Sequence, residues 1–171
     1  MKIVRTLSTL SLATLLFAPA VIAAPAHVHG SAKLDISIEG DKLNIGLEMP
    51  LDSTVGFERP ARNDNEKLAY ANAMTALRNA GELFKPTAGA GCRIESVEVG
   101  DPFPGGKAKP ADHADIDADY AFRCAKPAAL KGIETTLFQQ FKRLRRIDVQ
   151  RATPSGQGKA SMTPESPSLN W

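Results

Sequence analysis

The stretch His113-Ala114-Asp115-Ile116-Asp117-Ala118-Asp119-Tyr120-Ala121-Phe122-Arg123-Cys124 alternates without a break. Ala114, Ile116, Ala118, Tyr120, Phe122 and Cys124 fall on one side; His113, Asp115, Asp117, Asp119 and Arg123 fall on the other. Successive side chains leave a pleated backbone in opposite directions, so this pattern predicts a half-buried strand. One face is a piece of core that ends in a cysteine. The other gathers an imidazole and three carboxylates, a row that would draw a cation.

The first residues read as an address. Lys2 and Arg5 precede a short apolar run from Leu7 to Ala20, and small residues offer cleavage after Ala23 or as late as Ala26. The run is too short for an ordinary spanning helix, so residues 1–23 are expected to be a secretory signal peptide. No later stretch is long and apolar enough to span a bilayer, so no membrane insertion is expected after cleavage. Residues 24–171 are about the right length for one domain with a core. The signal removes two of the 21 basic residues and none of the 19 acidic ones, so the remainder is formally neutral. Such a balance argues against nucleic acid and against an anionic membrane surface as partners. The only cysteines, Cys92 and Cys124, lie in the exported part. In an oxidising compartment an even pair reads first as a disulfide, closing a loop of about 33 residues worth roughly 3–4 kcal/mol. The rival, a Cys-ligated zinc site, lacks any C-x-x-C pairing.

Ala32, Leu34, Ile36 and Ile38 alternate with polar residues, and after Gly40-Asp41 the pattern resumes with Leu43, Ile45, Leu47 and Met49. Two alternating runs about a short glycine-containing turn predict an antiparallel hairpin that Pro50 ends. A loop carrying Gly56-Phe57-Glu58-Arg59-Pro60 comes next. Asn63 stands three residues before Glu66, the pattern of a capping box. Tyr70, Ala73, Met74, Leu77, Ala80 and Phe84 then recur at helical spacing, predicting an amphipathic helix from about Asp64 to Ala80, with Gly81 near its end. A second strand should run from Cys92 to Val99, with a phase slip between Ile94 and Val97 that marks a bulge. The Pro- and Gly-rich residues 101–112 predict an exposed, mobile loop into the acidic strand. Gly132 to Phe141 reads as a strand passing into a short helix. Ile147, Val149 and Arg151 alternate again, a turn at 154–158 leads back toward Ala160 and Met162, and the tail to Trp171 is extended. The basic cluster Lys142-Arg143 with Arg145-Arg146 reads as a solvated face.

The chain holds three histidines, His27, His29 and His113. Residues i and i+2 of a strand share a face about 6.6–6.8 Å apart, so His27/His29 and His113/Asp115 can each converge on one ion. Imidazole with carboxylate suits zinc; Asp115, Asp117 and Asp119 alone would suit calcium weakly. If the first strand lies near the acidic one, His27, His29, His113 and Asp115 could complete a four-ligand set. The plainer alternative is an acidic face that keeps an edge strand soluble and unpaired. Cleavage after Ala26 would make His27 the amino terminus, and its amine with the His29 imidazole could wrap copper(II) or nickel(II) in square-planar geometry. Catalysis is not expected. G-x-S-x-G, H-E-x-x-H and P-loop motifs are missing, and a solvent-facing carboxylate row does not promise the raised pKa a general acid needs.

These residues together resemble the ZrgA-like family of exported bacterial proteins linked to zinc. The likeness spans nearly the whole chain after the signal: His27-Val28-His29-Gly30-Ser31-Ala32, Pro50-Leu51, Val55-Gly56-Phe57-Glu58, Leu83-Phe84, Cys92, the strand from His113 to Cys124, Pro127, Leu137-Phe138, Gly156-Gln157 and Trp171. The resemblance implies a periplasmic zinc-binding protein, induced when zinc is scarce, that helps supply an uptake ABC transporter. His113 and Asp115 match the family's histidine–aspartate strand start, and His29 matches its histidine before a glycine. Relatives often carry a long histidine-rich loop before that strand. Here residues 101–112 contain no histidine, so one or two ions are the most this chain would hold.

The expectation is therefore a single α+β domain. An antiparallel sheet of hairpin-like pairs carries one main amphipathic helix on a face and is fastened by Cys92–Cys124. It would bind zinc in the periplasm through His113 and Asp115, helped by His27, His29 or Asp117. The leading rival is a non-metal envelope scaffold that binds a protein through its sheet edge or its Gly56-Phe57-Glu58 loop.

Overall fold

The structure, a computed structural model, describes residues 28–106 and 114–171. The expected signal segment lies outside the described residues, as do His27, His113 and the second half of the 101–112 loop. The strands and helices run in the order β1 (Ser31–Glu39), β2 (Lys42–Pro50), α1 (Leu51–Val55), α2 (Asp64–Arg78), α3 (Ala80–Leu83), β3 (Phe84–Pro86), β4 (Cys92–Val99), β5 (Asp115–Cys124), β6 (Gly132–Thr135), α4 (Leu137–Gln140), β7 (Arg146–Thr153), β8 (Gly156–Met162) and β9 (Ser168–Asn170). The class is α+β, as expected, with one long helix among the described residues.

β1 and β2 form the predicted hairpin, with Glu39 opposite Lys42. Gly40 has φ +62° and is the only positive-φ residue of the two-residue turn. That is the demand of a turn whose twist matches the flanking strands, and glycine meets it without steric cost. β5 lies against the free edge of β2, and β4 lies against β5. The alternation of β5 is realised as read: Ile116, Ala118, Tyr120, Phe122 and Cys124 are buried, while Asp117 and Asp119 are exposed. The β4–β5 register shifts between Ile94 and Ser96. This is the bulge that the phase slip predicted, and Glu95 of the shifted stretch meets Arg123 at 2.8 Å.

One departure concerns the sheet itself. β1 pairs with β7 in parallel, so the six-stranded sheet β4-β5-β2-β1-β7-β8 is mixed, not wholly antiparallel. Three hairpins (β1β2, β4β5 and β7β8) are merged into one surface, and the third enters beside β1 in the same direction. β3, β6 and β9 form a separate three-stranded antiparallel sheet. Parallel pairing requires a long connection, here everything from β2 to α4.

The core lies between the inner face of the large sheet and the layer made by α2, α3, α4 and the small sheet. Tyr120 ties the layers. Its ring meets Phe84 edge-on at 4.9 Å between centroids, and its hydroxyl donates to the Leu77 carbonyl at 3.0 Å. Burial pushes its phenol pKa well above the ordinary value, so the hydroxyl stays a donor. Helix α2 begins as the capping pattern predicts, with the Asn63 side chain accepting from the Glu66 N–H at 2.9 Å. It ends at Arg78, slightly short of the expected Ala80. After Asn79 a further helical turn, α3, carries Gly81 inside it. A Cβ on Gly81 would stand 3.3 Å from Ile94 Cδ1, so the glycine serves close approach to β4 and does not cap the helix. The loop after β4 starts packed, because Phe103 is buried and Asp101 accepts from both the Tyr70 hydroxyl and the Phe103 N–H.

Cys92 and Cys124 stand opposite each other across β4 and β5 and are joined by a disulfide. Neither thiolate is then open to a metal. Replacing both cysteines by serine should lower stability by roughly 3–4 kcal/mol, read as a lower urea midpoint with a steeper slope, because the unfolded chain loses its cross-link and exposes more surface. An unchanged midpoint would show that the strands need no covalent fastening.

Candidate metal centre

The described histidine, His29, sits where several elements end together. Its neighbour Gly30 has φ +78° and is the third residue of a tight turn from Val28 to Ser31, closed by the Ser31 N–H donating to Val28 O at 3.1 Å. Two further segments hold that turn. The Gly30 N–H donates to Ser53 Oγ at 3.0 Å, and Ser53 Oγ donates to Ser31 O at 3.2 Å. The Gly30 carbonyl accepts from the N–H groups of Arg145 and Arg146 at 2.7 and 3.1 Å. Ser53 is fully buried, so both of its bonds are shielded from water and each would be costly to lose. A Cβ on Gly30 would lie 3.2 Å from the Arg143 carbonyl. The turn therefore requires glycine for its φ and for space.

Helix α1 succeeds Pro50 directly and lies beside this turn. Its first residue, Leu51, donates to Ala114 O at 2.8 Å, and Pro50 stands opposite Asp115. The start of β5, the end of β2 and the entry to β1 thus meet at one end of the large sheet. Over that end stands the imidazole of His29, about two-thirds exposed. Its Nε2 is 3.4 Å from Glu58 Oε1 and its Nδ1 is 4.0 Å from Asp52 Oδ2. Both carboxylates are mostly shielded, at 14% exposure for Asp52 and 22% for Glu58.

Each carboxylate is set in place by an arginine acting differently. Arg143 reaches back from the segment before β7 and donates through Nη2 to both Asp52 oxygens, at 3.0 and 3.1 Å. Its Nε donates to the Asp52 carbonyl at 2.8 Å. Gly56, which ends α1 with φ +89°, lies beneath that guanidinium; a Cβ there would be 3.4 Å from Arg143 Cζ. Glu58 is carried by the 56–60 loop, which Arg59 pins to α2. The Arg59 fork bonds both Glu66 oxygens at 2.7 and 2.9 Å and lies 5.2 Å from the centre of the Phe57 ring. Glu66 also accepts from the Arg62 N–H at 2.7 Å. The Arg59 bonds, then the Arg62 N–H, pull the Glu66 carboxyl down to about 2.

Of the other residues expected at the site, Asp115 opens β5 at this end, half-buried. Asp117 stands one step further along the same face, opposite Glu48, which pairs with Lys33 at 2.6 Å. The Glu48 hydrogen bond, then the fields of Glu48, Asp115 and Asp35, hold the Lys33 ammonium protonated above its ordinary range. Lys33 thereby offsets the like charges of Glu48 and Asp117 across the strand pair. His27 and His113 lie outside the described residues. Among the described residues no group of three or more His, Cys, Asp or Glu side chains could hold a metal ion. The reason is visible at His29: its two ring nitrogens face different carboxylates, so one ion meets one nitrogen and one carboxylate there. The donor types suit zinc, but two donors do not fill a tetrahedron.

Sequence reading picks out His29 and Asp115 but misses Asp52 and Arg143, and it takes Glu58 only as part of a partner-contacting loop. Arg143 sits in the basic cluster read as a solvated face; its partner is 91 residues away in the chain, a distance no local pattern spans.

A family model described as ZrgA family zinc uptake protein matches residues 26–171. The chain belongs to the ZrgA family. The ZrgA match covers His29, Asp52, Glu58, Asp115 and Arg143, together with His27 and His113. A comparison with curated proteins found no match. Among the described residues no helix is long and apolar enough to cross a membrane.

The way the imidazole is held sets two expected outcomes. Gly30→Ala should destabilise the fold by about 1–3 kcal/mol, read from the urea midpoint, because alanine is strained at this φ and meets the Arg143 carbonyl. The Arg59–Glu66 link stabilises the fold at pH values above the unfolded glutamate's pKa of about 4.3, and that contribution is lost as pH falls through about 2. Arg59→Ala should return Glu66 toward an ordinary carboxylate titration in carboxyl-carbon NMR; an unmoved Glu66 would show that the link does not hold it.

Proposed function

We propose that this ZrgA-family protein is exported to the periplasm, binds zinc there and assists its acquisition by an uptake transporter. Membership of a zinc uptake family supports the metal, and the charge and length of residues 1–23 support export. The observation that carries the reading is His29 Nε2 set 3.4 Å from Glu58 Oε1 on a braced turn, at the end of the sheet where β5 begins. Imidazole nitrogen with carboxylate oxygen is zinc's borderline donor set. On this reading the remaining donors are sequence neighbours of described residues. His27 is two residues before His29, His113 is one peptide bond from Ala114, and Asp115 comes directly after. On this reading the protein is a carrier and not a catalyst, and zinc is its cargo.

With three histidines in the whole chain and no histidine-rich loop, it binds one ion, or two at most. Calorimetric titration of the mature protein should give a submicromolar zinc site that weakens at least about tenfold in His29→Ala and in His113→Ala. Absence of heat at tens of micromolar protein, or wild-type affinity in both variants, would overturn the reading in favour of an envelope scaffold without metal. Amino-terminal sequencing of protein taken from periplasm fixes the other alternative. A start at His27 would allow copper(II) or nickel(II) at the amine and His29, and a start at Ala24 would exclude it.

A further inference from the structure

Gly46 stands in the middle of β2, and nothing in the fold asks for glycine there. Its φ is not positive. The pairing runs through it without a bulge on either side, opposite Asp35 of β1 and Asp119 of β5. A Cβ would meet Asp119 Oδ1 at 3.6 Å and Asp35 Cβ at 3.8 Å, which is ordinary van der Waals contact. Alanine would fit, and a β-branched residue would suit a strand better. Glycine inside a strand loses more conformational entropy on folding and packs against nothing. A strand glycine marks a bulge, a sharp bend or close approach by a ligand or another backbone. With unbroken pairing on both sides, close approach from outside is the reading left.

The opening over Gly46 belongs to a trough of about 1000 Å³ on the outer face of the large sheet. Its floor is low because the adjacent row is also small, with Ala121, Ser37 and Ala152 about Asn44. Asp119 and Asp35 flank the opening two strand steps apart, about 9–10 Å, and Glu98 continues the row beyond Asp119. All three are exposed. Glu48 and Asp148 on the same face each hold a cation, at 2.6 and 2.7 Å; among the described residues Asp35, Asp119 and Glu98 hold none. Carboxylates so far apart do not gather round a metal ion, and among the described residues no group of three donors could hold one. A guanidinium is wider, and its planar fork presents N–H donors toward both sides at once. We infer that this trough docks a polypeptide segment of a partner protein, with an arginine side chain laid over Gly46 between Asp119 and Asp35. Lys159 ends the row on β8, so that end favours an acidic or neutral residue and orients the segment across the strands. The inference is independent of the zinc reading.

A single exposed ion pair contributes little, so a short probe binds weakly and is best followed by backbone-amide NMR of the mature protein. The probe is a blocked Ala-Arg-Ala-Arg-Ala peptide, with its citrulline counterpart as the uncharged control. The arginine peptide should shift Gly46 and its neighbours on β1 and β5 saturably, and less as salt is raised. The citrulline peptide should leave them unmoved. Asp35→Asn combined with Asp119→Asn should weaken binding at least about tenfold. The deciding variants are at Gly46. Gly46→Ala should hold the urea midpoint at or above that of the parent, while binding the peptide less well. Gly46→Val, which fills the opening, should weaken the peptide at least about tenfold. A lower midpoint in Gly46→Ala would show that the fold itself needs the glycine and would overturn the inference. So would full binding in both Gly46 variants, the sign of a general attraction to an acidic face. No shift at millimolar peptide, or the same shifts with citrulline, would overturn it as well.

Discussion

The rest of the structure depends on the register between β2 and β5. Met49 faces Ile116, Leu47 faces Ala118, Ile45 faces Tyr120 and Leu43 faces Phe122. A slip by one residue would turn this whole buried set to water and bring Asp117 and Asp119 into the core. Burying each unpaired carboxylate would cost far more than any ladder bond gained. The register is therefore fixed by side-chain chemistry, and everything at the end of the sheet inherits its position from it. Pro50 meets Asp115, Leu51 bonds to Ala114, and α1 can begin only there. Asp52 and Ser53 reach the His29 turn because α1 starts at that one place.

The outer face of the same sheet shows the counterpart of that constraint. In one row across the strands stand Glu98, Asp119, Gly46, Asp35, Gln150 and Lys159. Gly46 leaves a gap between two carboxylates, its missing Cβ lying 3.6 Å from Asp119 Oδ1. A trough of about 1000 Å³ runs along the row. The neighbouring row is partly neutralised, since Lys33 bonds Glu48. Acidic side chains are thus distributed along the whole face, whereas an imidazole occurs among the described residues only at its end.

How much of this was legible in the sequence depends on how far apart the partners lie. The β1–β2 hairpin, the alternation of β5, the bulge in β4 and the Asn63 cap are local signals, each complete within a dozen residues. The disulfide needed only an even count of cysteines and the expectation of export. The parallel pairing of β1 with β7 was not legible, because an alternating strand does not reveal the direction of its neighbour. The small sheet joins three strands of three or four residues drawn from distant parts of the chain, too short to carry a period. At the centre the same rule holds. His29 and Asp115 stand out by residue type and spacing. Asp52 and Arg143 gain their roles from contacts that exist only after the chain has closed on itself.

The strongest physical argument for function is the mismatch between the exposure of His29 and the effort that holds it. An exposed side chain of no consequence could sit on a frayed strand end at little cost. Here the backbone beside it takes a left-handed conformation and uses a fully buried hydroxyl. It also draws two N–H groups from the far end of the chain, at Arg145 and Arg146, and it lies against Arg143, which itself clamps Asp52. Ordering so many groups costs conformational entropy that the imidazole's own packing, largely in water, does not return. Such an arrangement is advantageous when the ordered group must be ready before its ligand arrives, since preorganisation lowers the cost of binding. What is ordered beforehand is the backbone at Gly30 and Ser31, and it presents the imidazole 3.4 Å from Glu58 Oε1.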